Sequence, residues 1–275
     1  MHALSALLLV LPFWTQDPPA PAPKPAPPKP EASKPKVPPR KIEWVKESDT
    51  GVKFPDAIQA KPGAGYQTLA GVGVRDKRFV ILVNVYAYGL YLDETAIEEH
   101  LSDFFARPTK ELVKDAKFFE ALRSDAIGKT LRLAFVRDVG AKKIRNAFVE
   151  SVEPRLETAE KKFGWTDGAK ALETFRGYFA SEIQDGEQIE FAWLPGNKLV
   201  TTVAGERKGE ITSKALCWAL WDTYYGDDPI ETSGKKTTVE RLADLLSKKP
   251  KPQPKPAPKP VEPPAPNKDG KAARR

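Results

Sequence analysis

One arginine stands beside a long apolar stretch of this chain and has the side chain best suited to holding an anion. The stretch GVGVRDKRFVILVNVYAYGLYLD, residues 71–93, places Arg75 next to residues that are otherwise fit for burial. A guanidinium presents five donors in one plane and matches a carboxylate bidentately. Because an unpaired cation in an apolar slot is costly, Arg75 predicts a bound anion, an acid of the protein or water. Tyr86 can add a phenolic hydroxyl to the same anion.

The amino-acid composition and motifs give little support to a metal site, a disulfide, a cysteine nucleophile or a dinucleotide site. The chain has two histidines, His2 and His100, and one cysteine, Cys217, so it offers no cluster of metal ligands and no internal disulfide. The segment ALCWAL predicts that Cys217 is a buried small residue and not a nucleophile. Gly71 and Gly73 lack the third glycine and the strand–loop–helix order of a dinucleotide-binding fingerprint. We therefore expect no metal and no cofactor.

Proline content divides the chain into a folded middle and two tails. Of the 27 prolines, twelve lie in residues 1–42, nine in residues 248–275 and six in residues 43–247. Proline lacks the backbone N–H that regular ladders need, and proline-rich segments favour polyproline II. Residues 43–247 are therefore predicted to form one sizeable domain. Residues 17–42 and 248–275 are predicted to be Pro/Lys-rich disordered segments.

The formal net charge of +7 belongs to the tails and not to the domain. Residues 1–42 contribute +4 and residues 248–275 contribute +7, which leaves −4 for residues 43–247. A nucleic-acid-binding domain carries its basic residues on the folded surface, so no nucleic-acid partner is expected. The basic tails instead suggest contact with anionic polymers of a cell envelope.

The first residues predict an exported protein. MHALSALLLVLPFWTQ, residues 1–16, contains an apolar run without acidic residues. The run is too short for a membrane span, which takes about 20 apolar residues, and suits the apolar region of a signal peptide. An uncleaved anchor and a chance apolar start are the alternatives, because no Lys or Arg precedes the run and no A-x-A cleavage site follows it. We predict export to the periplasm or cell envelope, with no transmembrane span in the mature chain.

The hydropathy pattern of the middle predicts strands mixed with helices, which is typical of an α+β fold. Residues 79–86 alternate with the two-residue period of a strand, and both faces are apolar, so each face should be covered. Pro195-Gly196-Asn197 between QIEFAWL and KLVTTVAG predicts a hairpin. The other predicted elements are extended chain over 64–93 with a turn near 75–77, a strand over 129–139, and helices from 93–95 onward and over 109–128, 141–163 (interrupted near Pro154), 167–179, 213–226 and 237–249.

Several motifs resemble the chalcone isomerase-like family. They are GVKFP at 51–55, GxGVR with the strand ending in VYAYGLYLD, IRNAFVESVEP, the GEQIEFAWLPGNKLVTTV hairpin and ALCWALWDTYYGDDP. They stand in the order found in the family, and the resemblance covers roughly residues 43–232, nearly all of the predicted folded part. The resemblance implies an open-faced β-sandwich, in which a large, mostly antiparallel sheet is covered by a layer of helices. It also implies a ligand pocket between the sheet and those helices.

The positions that resemble those of the plant isomerases argue against chalcone cyclisation. Arg75 matches the arginine that steadies the anionic oxygen of the substrate, and Thr223 matches a threonine or serine of a late helix. Tyr86 stands where the isomerases have a threonine that orders a water. Ile144 and Ser151 stand near the positions of the tyrosine and asparagine that complete the water site. Because catalysis needs donors placed against the developing charge, their loss predicts that cyclisation is slower by orders of magnitude.

The resemblance favours the branch of the family that binds fatty acids, in which an arginine is accompanied by a tyrosine. We expect a fatty acid or similar lipophilic carboxylate to bind through Arg75, Tyr86 and Thr223. An apolar channel for the acyl chain is expected beside them. The residues expected to line it are Tyr88, Ile144, Ser151, Trp218, Trp221 and Tyr224.

Two alternatives remain open at this point. One is an isomerase of the intramolecular lyase type that acts on another substrate, which predicts a polar pair around an ordered water in the pocket. The other is a structural or adaptor domain without a ligand. In that case Arg75 would pair with an internal acid such as Asp93 or Asp222, and side chains would fill the slot.

Overall fold

The fold is defined by a computed structural model that describes residues 40–60, 64–78, 82–104 and 107–247. The predicted signal peptide (1–16), most of the predicted linker and the tail 248–275 lie outside the described residues, as do residues 79–81 of the predicted strand. Within the described ranges, no helix is both long and apolar enough to cross a membrane.

Seven strands form one antiparallel sheet, in which each strand pairs with the next along the chain. Antiparallel neighbours need only short connections, and the spatial order of the strands follows the sequence. Two further strands, β1 and β2, pair separately. The strands are β1 (Trp44–Lys46), β2 (Lys53–Pro55), β3 (Ala57–Gln59), β4 (Tyr66–Arg78), β5 (Leu82–Asp93), β6 (Lys129–Phe135), β7 (Gln188–Leu194), β8 (Lys198–Val203) and β9 (Glu206–Thr212). This arrangement confirms the predicted α+β fold with a large antiparallel sheet.

A layer of helices covers one face of the seven-stranded sheet. The helices are α1 (Glu94–His100), α2 (Thr109–Leu112), α3 (Ala116–Leu122), α4 (Ala141–Phe163), α5 (Gly168–Gly177), α6 (Lys214–Tyr225) and α7 (Ser233–Ser247). Helix α6 is buried along nearly its whole length, as expected for a helix that is apolar around its circumference. It lies at the centre of the helix layer.

The main core lies between this helix layer and the inner face of the sheet. Trp193 of β7 packs on Trp221 of α6 with ring centroids 5.6 Å apart. Phe191 lies 5.5 Å from both Phe148 of α4 and Phe175 of α5. Aromatic pairs at such distances stabilise a core by about 1 kcal/mol beyond the area that they bury. Strand β7 is thus attached to three helices.

The outer face of the sheet is covered in part by the β1–β2 pair. Phe54 of β2 packs in a second apolar cluster with Leu69, Ala87, Tyr91 and Ala134. The covered outer-face residues of β5 are Ala87 and Tyr91, while Val83, Asn84 and Val85 are half-buried, so the expectation that both faces of residues 79–86 are covered stays a prediction. The packed structure also extends into the predicted linker, since the Arg40 guanidinium contacts carboxylates of the domain.

Local signals in the sequence located several element boundaries correctly. Asp93 caps α1 by accepting a hydrogen bond from the N–H of Ala96 at 2.9 Å, and Ser213 caps α6 in the same way. The β7–β8 turn places Gly196 at φ 81° and Asn197 at φ 57°, which are the left-handed values that these residue types tolerate. The predicted hairpin is confirmed.

The turn predicted near 75–77 is wrong, because β4 continues through these residues to Arg78. Arg75 pairs with Tyr86 and Asp76 pairs with Asn84 on β5, with a bulge between the two pairs. A bulge inserts one extra residue and bends a strand without ending it. The polar residues that suggested a turn therefore belong to a long strand.

Three other predictions need correction. Residues 109–128 form two helices and not one, because the Asp115 side chain accepts from the N–H groups of Lys117 and Phe118 and starts a new helix. Helix α4 passes through Pro154 without a break; Pro154 is exposed, so water can satisfy the carbonyl that loses its partner. Strand β9 was missed, because it is a charged edge strand without the apolar alternation of a buried one.

Lys129 is the most unusual charge in the core. Its side chain has no exposed surface, and its ammonium donates to the carbonyls of Leu122 at 2.7 Å and Ser124 at 2.5 Å. It also lies 4.4 Å from the centre of the Trp193 ring. Burial lowers the pKa of Lys129 to about 7. The side chain thus links the C-terminal end of α3 to β6 through hydrogen bonds.

Stability is expected to rise with pH because of this lysine. The ordinary pKa of lysine is 10.5, so between pH 7 and about pH 10 the unfolded chain binds more protons at this site than the folded chain does. The free energy of unfolding should gain about 2 kcal/mol from this group between pH 7 and pH 9. Urea titrations at the two pH values should show this gain in the wild type and lose it in Lys129→Met. The exposed Lys170→Met should behave as the wild type, and an equal gain in Lys129→Met would contradict the prediction.

Candidate functional site

A cavity of about 500 Å³ lies between the inner face of the sheet and helices α4 and α6. Its floor is formed by the row in which β4, β5 and β6 lie side by side. Arg75 of β4 is directly opposite Tyr86 of β5, and Tyr86 is directly opposite Phe135 of β6. Because residues in direct register point to the same face, the three side chains form a continuous line. The rings of Tyr86 and Phe135 lie 5.3 Å apart.

The walls are mainly apolar and the rim is charged. Buried or half-buried apolar residues of α4 and α6 enclose the floor, among them Ile144, Phe148 and Leu220. The rim contains exposed residues of both signs, while an apolar interior with a few polar groups is the usual form of a small-molecule site. These rim residues are Arg137, Asp138, Lys143, Asn146 and Glu150. Sequence reasoning missed the rim, although its α4 members follow the three- and four-residue spacing of one helix face.

Arg75 lines this cavity and is half-buried. Its Nη1 donates to the main-chain carbonyl of Ile230, and among the described residues no carboxylate lies within 4.0 Å of its guanidinium. The two acids considered as internal partners are used elsewhere. Asp93 caps α1, and Asp222 binds other arginines. The guanidinium therefore keeps donors available on the cavity side.

Tyr86 reaches a second tyrosine at the back of the cavity. Its hydroxyl lies 2.9 Å from the hydroxyl of Tyr224, and either oxygen can be the donor. Burial raises the pKa of both Tyr86 and Tyr224, so both phenols keep their protons. One hydrogen joins the two oxygens, and the other is left over for an acceptor in the cavity. The pair thus supplies one neutral donor.

The two aliphatic hydroxyl groups on the cavity, those of Thr223 and Ser151, have already used their hydrogens. Thr223 donates to the carbonyl of Ala219 at 2.9 Å, and Ser151 donates to that of Ala147 at 2.7 Å. Both hydroxyls can only accept from a ligand in this arrangement. Ile144, which also lines the cavity, is apolar and buried.

Three residues that the sequence placed on the pocket lie elsewhere. Tyr88 is buried beside it, and its hydroxyl is 3.4 Å from a carboxylate oxygen of Glu231. Trp221 packs on a tryptophan of β7, and Trp218 packs against aromatic side chains at the end of α4. The reason is helical periodicity, since Thr223 and Tyr224 share the cavity face of α6 while the two tryptophans lie on another.

Cys217 takes no part in this site. It is fully buried, and burial raises the pKa of its thiol. A buried thiol of raised pKa is inert, in agreement with the sequence-based interpretation. Among the described residues, no group of three or more histidine, cysteine or acidic side chains is placed to hold a metal ion.

Comparison with known proteins identifies relatives with this architecture. The chalcone isomerase-like family model matches residues 47–237. Fatty-acid-binding protein 1 of Arabidopsis thaliana is 32% identical over 209 residues, which are 74% of this chain and 72% of that protein. A chalcone–flavanone isomerase of Zea mays is 26% identical over 211 residues, 72% of this chain and 89% of that protein.

A solved structure shows the same fold. The crystal structure of an Arabidopsis thaliana fatty-acid-binding protein superposes with a TM-score of 0.63 at 30% identity, over 74% of this chain and 99% of that one. The meander sheet, the helix layer and the order of the motifs agree with the family match over most of the domain. This chain therefore belongs to the chalcone isomerase-like family.

Proposed function

We propose that this protein binds a fatty acid or a similar lipophilic carboxylate in the cavity between its sheet and its helices. The observation that carries the proposal is the position of Arg75, which lines an apolar cavity and has no carboxylate partner among the described residues. The ligand carboxylate would take the free donors of Arg75 and the spare hydrogen of the Tyr86–Tyr224 pair. The similarity of this chain to Fatty-acid-binding protein 1 of Arabidopsis thaliana supports the proposal.

The apolar walls would provide most of the free energy of binding. Each buried methylene contributes roughly 0.8 kcal/mol, so an acyl chain against Ile144, Phe148 and Leu220 gains more from the walls than from one ion pair. The guanidinium supplies orientation and selectivity for an anion, because a charge-assisted hydrogen bond has both strength and geometry. The Thr223 hydroxyl hydrogen is used on the Ala219 carbonyl and a carboxylate offers no donor, so Thr223 would contribute packing and no hydrogen bond to the ligand carboxylate.

We propose further that the chalcone cyclisation of the plant isomerases is not its activity. By the family resemblance, the positions that hold the ordered water in those enzymes fall near Ile144, which is apolar, and Ser151, whose hydroxyl hydrogen is used within α4. An isomerase with another substrate would have to rely on Arg75 and the tyrosine pair alone. The carboxylate-binding function needs no further group.

Native mass spectrometry of freshly purified protein tests the proposal. We expect adducts that organic extraction removes and that are identified as fatty acids, and we expect dodecanoate to bind more tightly than dodecanol when the stripped protein is titrated. The absorbance of an added chalcone should stay constant. Equal affinities for the two titrants would contradict the carboxylate site, and decay of the chalcone absorbance would favour the isomerase.

Export to the periplasm or cell envelope, and contact of the basic tails with anionic envelope polymers, are also proposed. Both rest on the sequence of residues 1–42 and 248–275. Cell fractionation with N-terminal sequencing of the native protein tests them, and an intact Met1 on protein from the cytoplasmic fraction would contradict export.

A further inference from the structure

The segment between α6 and α7 is held at three alternate carbonyls by three cationic side chains. We call residues 226–231 the strap. Each contact comes from a different element: one from α7, one from α4 and one from β4. The donor and carbonyl pairs are Lys235 to Gly226 at 2.8 Å, Arg155 to Asp228, and Arg75 to Ile230. The strap is thus tied to the helix layer and to the sheet.

The end of the strap nearest the cavity, Ile230 and Glu231, is hydrogen-bonded to both α6 and α7. The N–H of Ile230 donates to the carbonyl of Thr223 on α6 at 2.9 Å. The carboxylate of Glu231 accepts from the N–H groups of Ser233 and Gly234, each at 2.7 Å, at the start of α7. The carbonyl that Arg75 contacts therefore has a defined position.

Arg155 holds the middle of the strap from outside the cavity. Its side chain is 14% exposed, and its Nε lies 3.3 Å from Asp222. It also donates to the carbonyl of Ser151 at 2.6 Å on its own helix. Arg123 binds the other oxygen of Asp222. Neither Arg155 nor Asp222 lines the cavity, so neither can touch a ligand there.

The hydrogen bond from Arg75 to the strap does not use the Nε and Nη2 donors of its guanidinium. Arg75 uses Nη1 on Ile230, while in the described part of the chain its Nε and Nη2 have no hydrogen-bond acceptor. The Nε and Nη2 hydrogens form a parallel pair that a carboxylate can accept bidentately. The contact with Ile230 therefore orients the guanidinium without occupying the donors that a ligand needs.

We infer that Arg155 is a positioning residue for the ligand site. It holds the strap, the strap holds the Ile230 carbonyl, and that carbonyl orients Arg75 toward the carboxylate. The inference rests on the proposed function, because the affinity for a carboxylate is what the orientation would raise. A long side chain that is ordered before binding loses less entropy on binding, which corresponds to about a tenfold difference in affinity.

The test compares Arg155→Gln with a matched control on the same helix. Arg145 of α4 also donates to a main-chain carbonyl, that of Phe179 at 2.7 Å, but it does not contact the strap. In calorimetric titrations, Arg155→Gln should bind dodecanoate about tenfold more weakly and dodecanol within about twofold of the wild type. Arg145→Gln should bind both as the wild type does. If Arg155→Gln fails to fold, Arg155→Lys serves in its place.

A double-mutant cycle with Arg75→Met separates positioning from a general effect on the fold. If Arg155 acts through Arg75, Arg155→Gln should cause no further loss of dodecanoate affinity in the Arg75→Met background. A full further loss there, or equal losses for dodecanoate and dodecanol in the single variant, would overturn the inference.

A measurement without ligand keeps this test distinct from that of the proposed function. NMR should show slower exchange of the Arg75 guanidinium hydrogens with water in the wild type than in Arg155→Gln. Unchanged exchange would overturn the role of the strap even if dodecanoate binds. Equal wild-type affinities for dodecanoate and dodecanol would overturn the proposed function instead, while the difference in exchange would still show that Arg155 orients Arg75.

Discussion

Replacing Arg75 with methionine is expected to weaken dodecanoate binding about 100-fold, while dodecanol binding stays within about twofold of the wild-type value. Methionine has a similar length and fills apolar space well, so the cavity should keep its shape. The ligand carboxylate would lose its charged partner and would be left half-desolvated against Phe135 and Tyr86. Isothermal titration at pH 8, where dodecanoate is ionised, measures both constants. Because Arg75 has no carboxylate partner among the described residues, its removal leaves no carboxylate unpaired there. The expected cost to the stability of the fold is then that of its hydrogen bond to the Ile230 carbonyl, about 1.5–3 kcal/mol.

Arg132→Met is the matched control for this experiment. Arg132 is also a strand arginine with a low exposed fraction, but it pairs with Glu190 at 2.7 Å and does not line the cavity. Its loss should leave both affinities unchanged. If Arg75→Met binds dodecanoate as the wild type does, the carboxylate site is wrong. If it loses dodecanol affinity to the same degree, Arg75 supports the cavity wall and does not select an anion.

Gly71→Ala is expected to lower the free energy of unfolding by about 3 kcal/mol. A β-carbon at Gly71 would lie 1.9 Å from Oγ1 and 2.7 Å from Cα of Thr238 on α7. The second contact involves the backbone of the helix, so no change of side-chain rotamer can relieve it. Helix α7 must move away from β4, and the strap that leads into α7 must move with it. Urea denaturation measures the loss, and near-ultraviolet circular dichroism reports the packing of the neighbouring Tyr225, whose hydroxyl lies 3.1 Å from Thr238 Oγ1.

Gly177→Ala provides the control for a glycine without such a neighbour. Nothing lies within 4 Å of a β-carbon built at Gly177, at the end of α5. Alanine is the better helix former by up to about 1 kcal/mol, so this variant should be as stable as the wild type or slightly more stable. A Gly71→Ala protein of wild-type stability would show that α7 does not pack on β4 as closely as the structure has it.

The two glycines of the GxGVR motif illustrate what a motif leaves unexplained. The sequence identified Gly71 and Gly73 as part of a family resemblance and excluded a dinucleotide site. It offered no reason for glycine at either place. The structure supplies one, because α7 crosses β4 there, and a β-carbon at Gly73 would lie 2.8 Å from Cα of Gly234. The partner helix lies more than 160 residues further along the chain, where no local pattern connects it to the strand.

Signals that depend on a few neighbouring residues were reliable. The helix starts at Asp93 and Ser213 and the turn at Gly196-Asn197 were predicted correctly, because each needs only a side chain and the backbone next to it. The errors arose where a feature depends on pairing with residues that are distant in the sequence. The polar stretch after Arg75 resembles a turn until its pairing with β5 is known, and β9 has no apolar pattern because it lies at the edge of the sheet.

The sequence by itself determined the type of fold, the family resemblance and the side chain suited to hold an anion. The α+β type follows from the periodicity of the elements, the resemblance from the order of the motifs, and the choice of Arg75 from the chemistry of its side chain. Only the tertiary structure decided that Asp93 and Asp222 are occupied elsewhere, that Tyr224 and not Trp221 faces the cavity, and that a main-chain carbonyl orients Arg75. The physical reason is that a side chain's partners are set by the approach of elements distant in sequence, while a one-dimensional pattern records only what each element contributes.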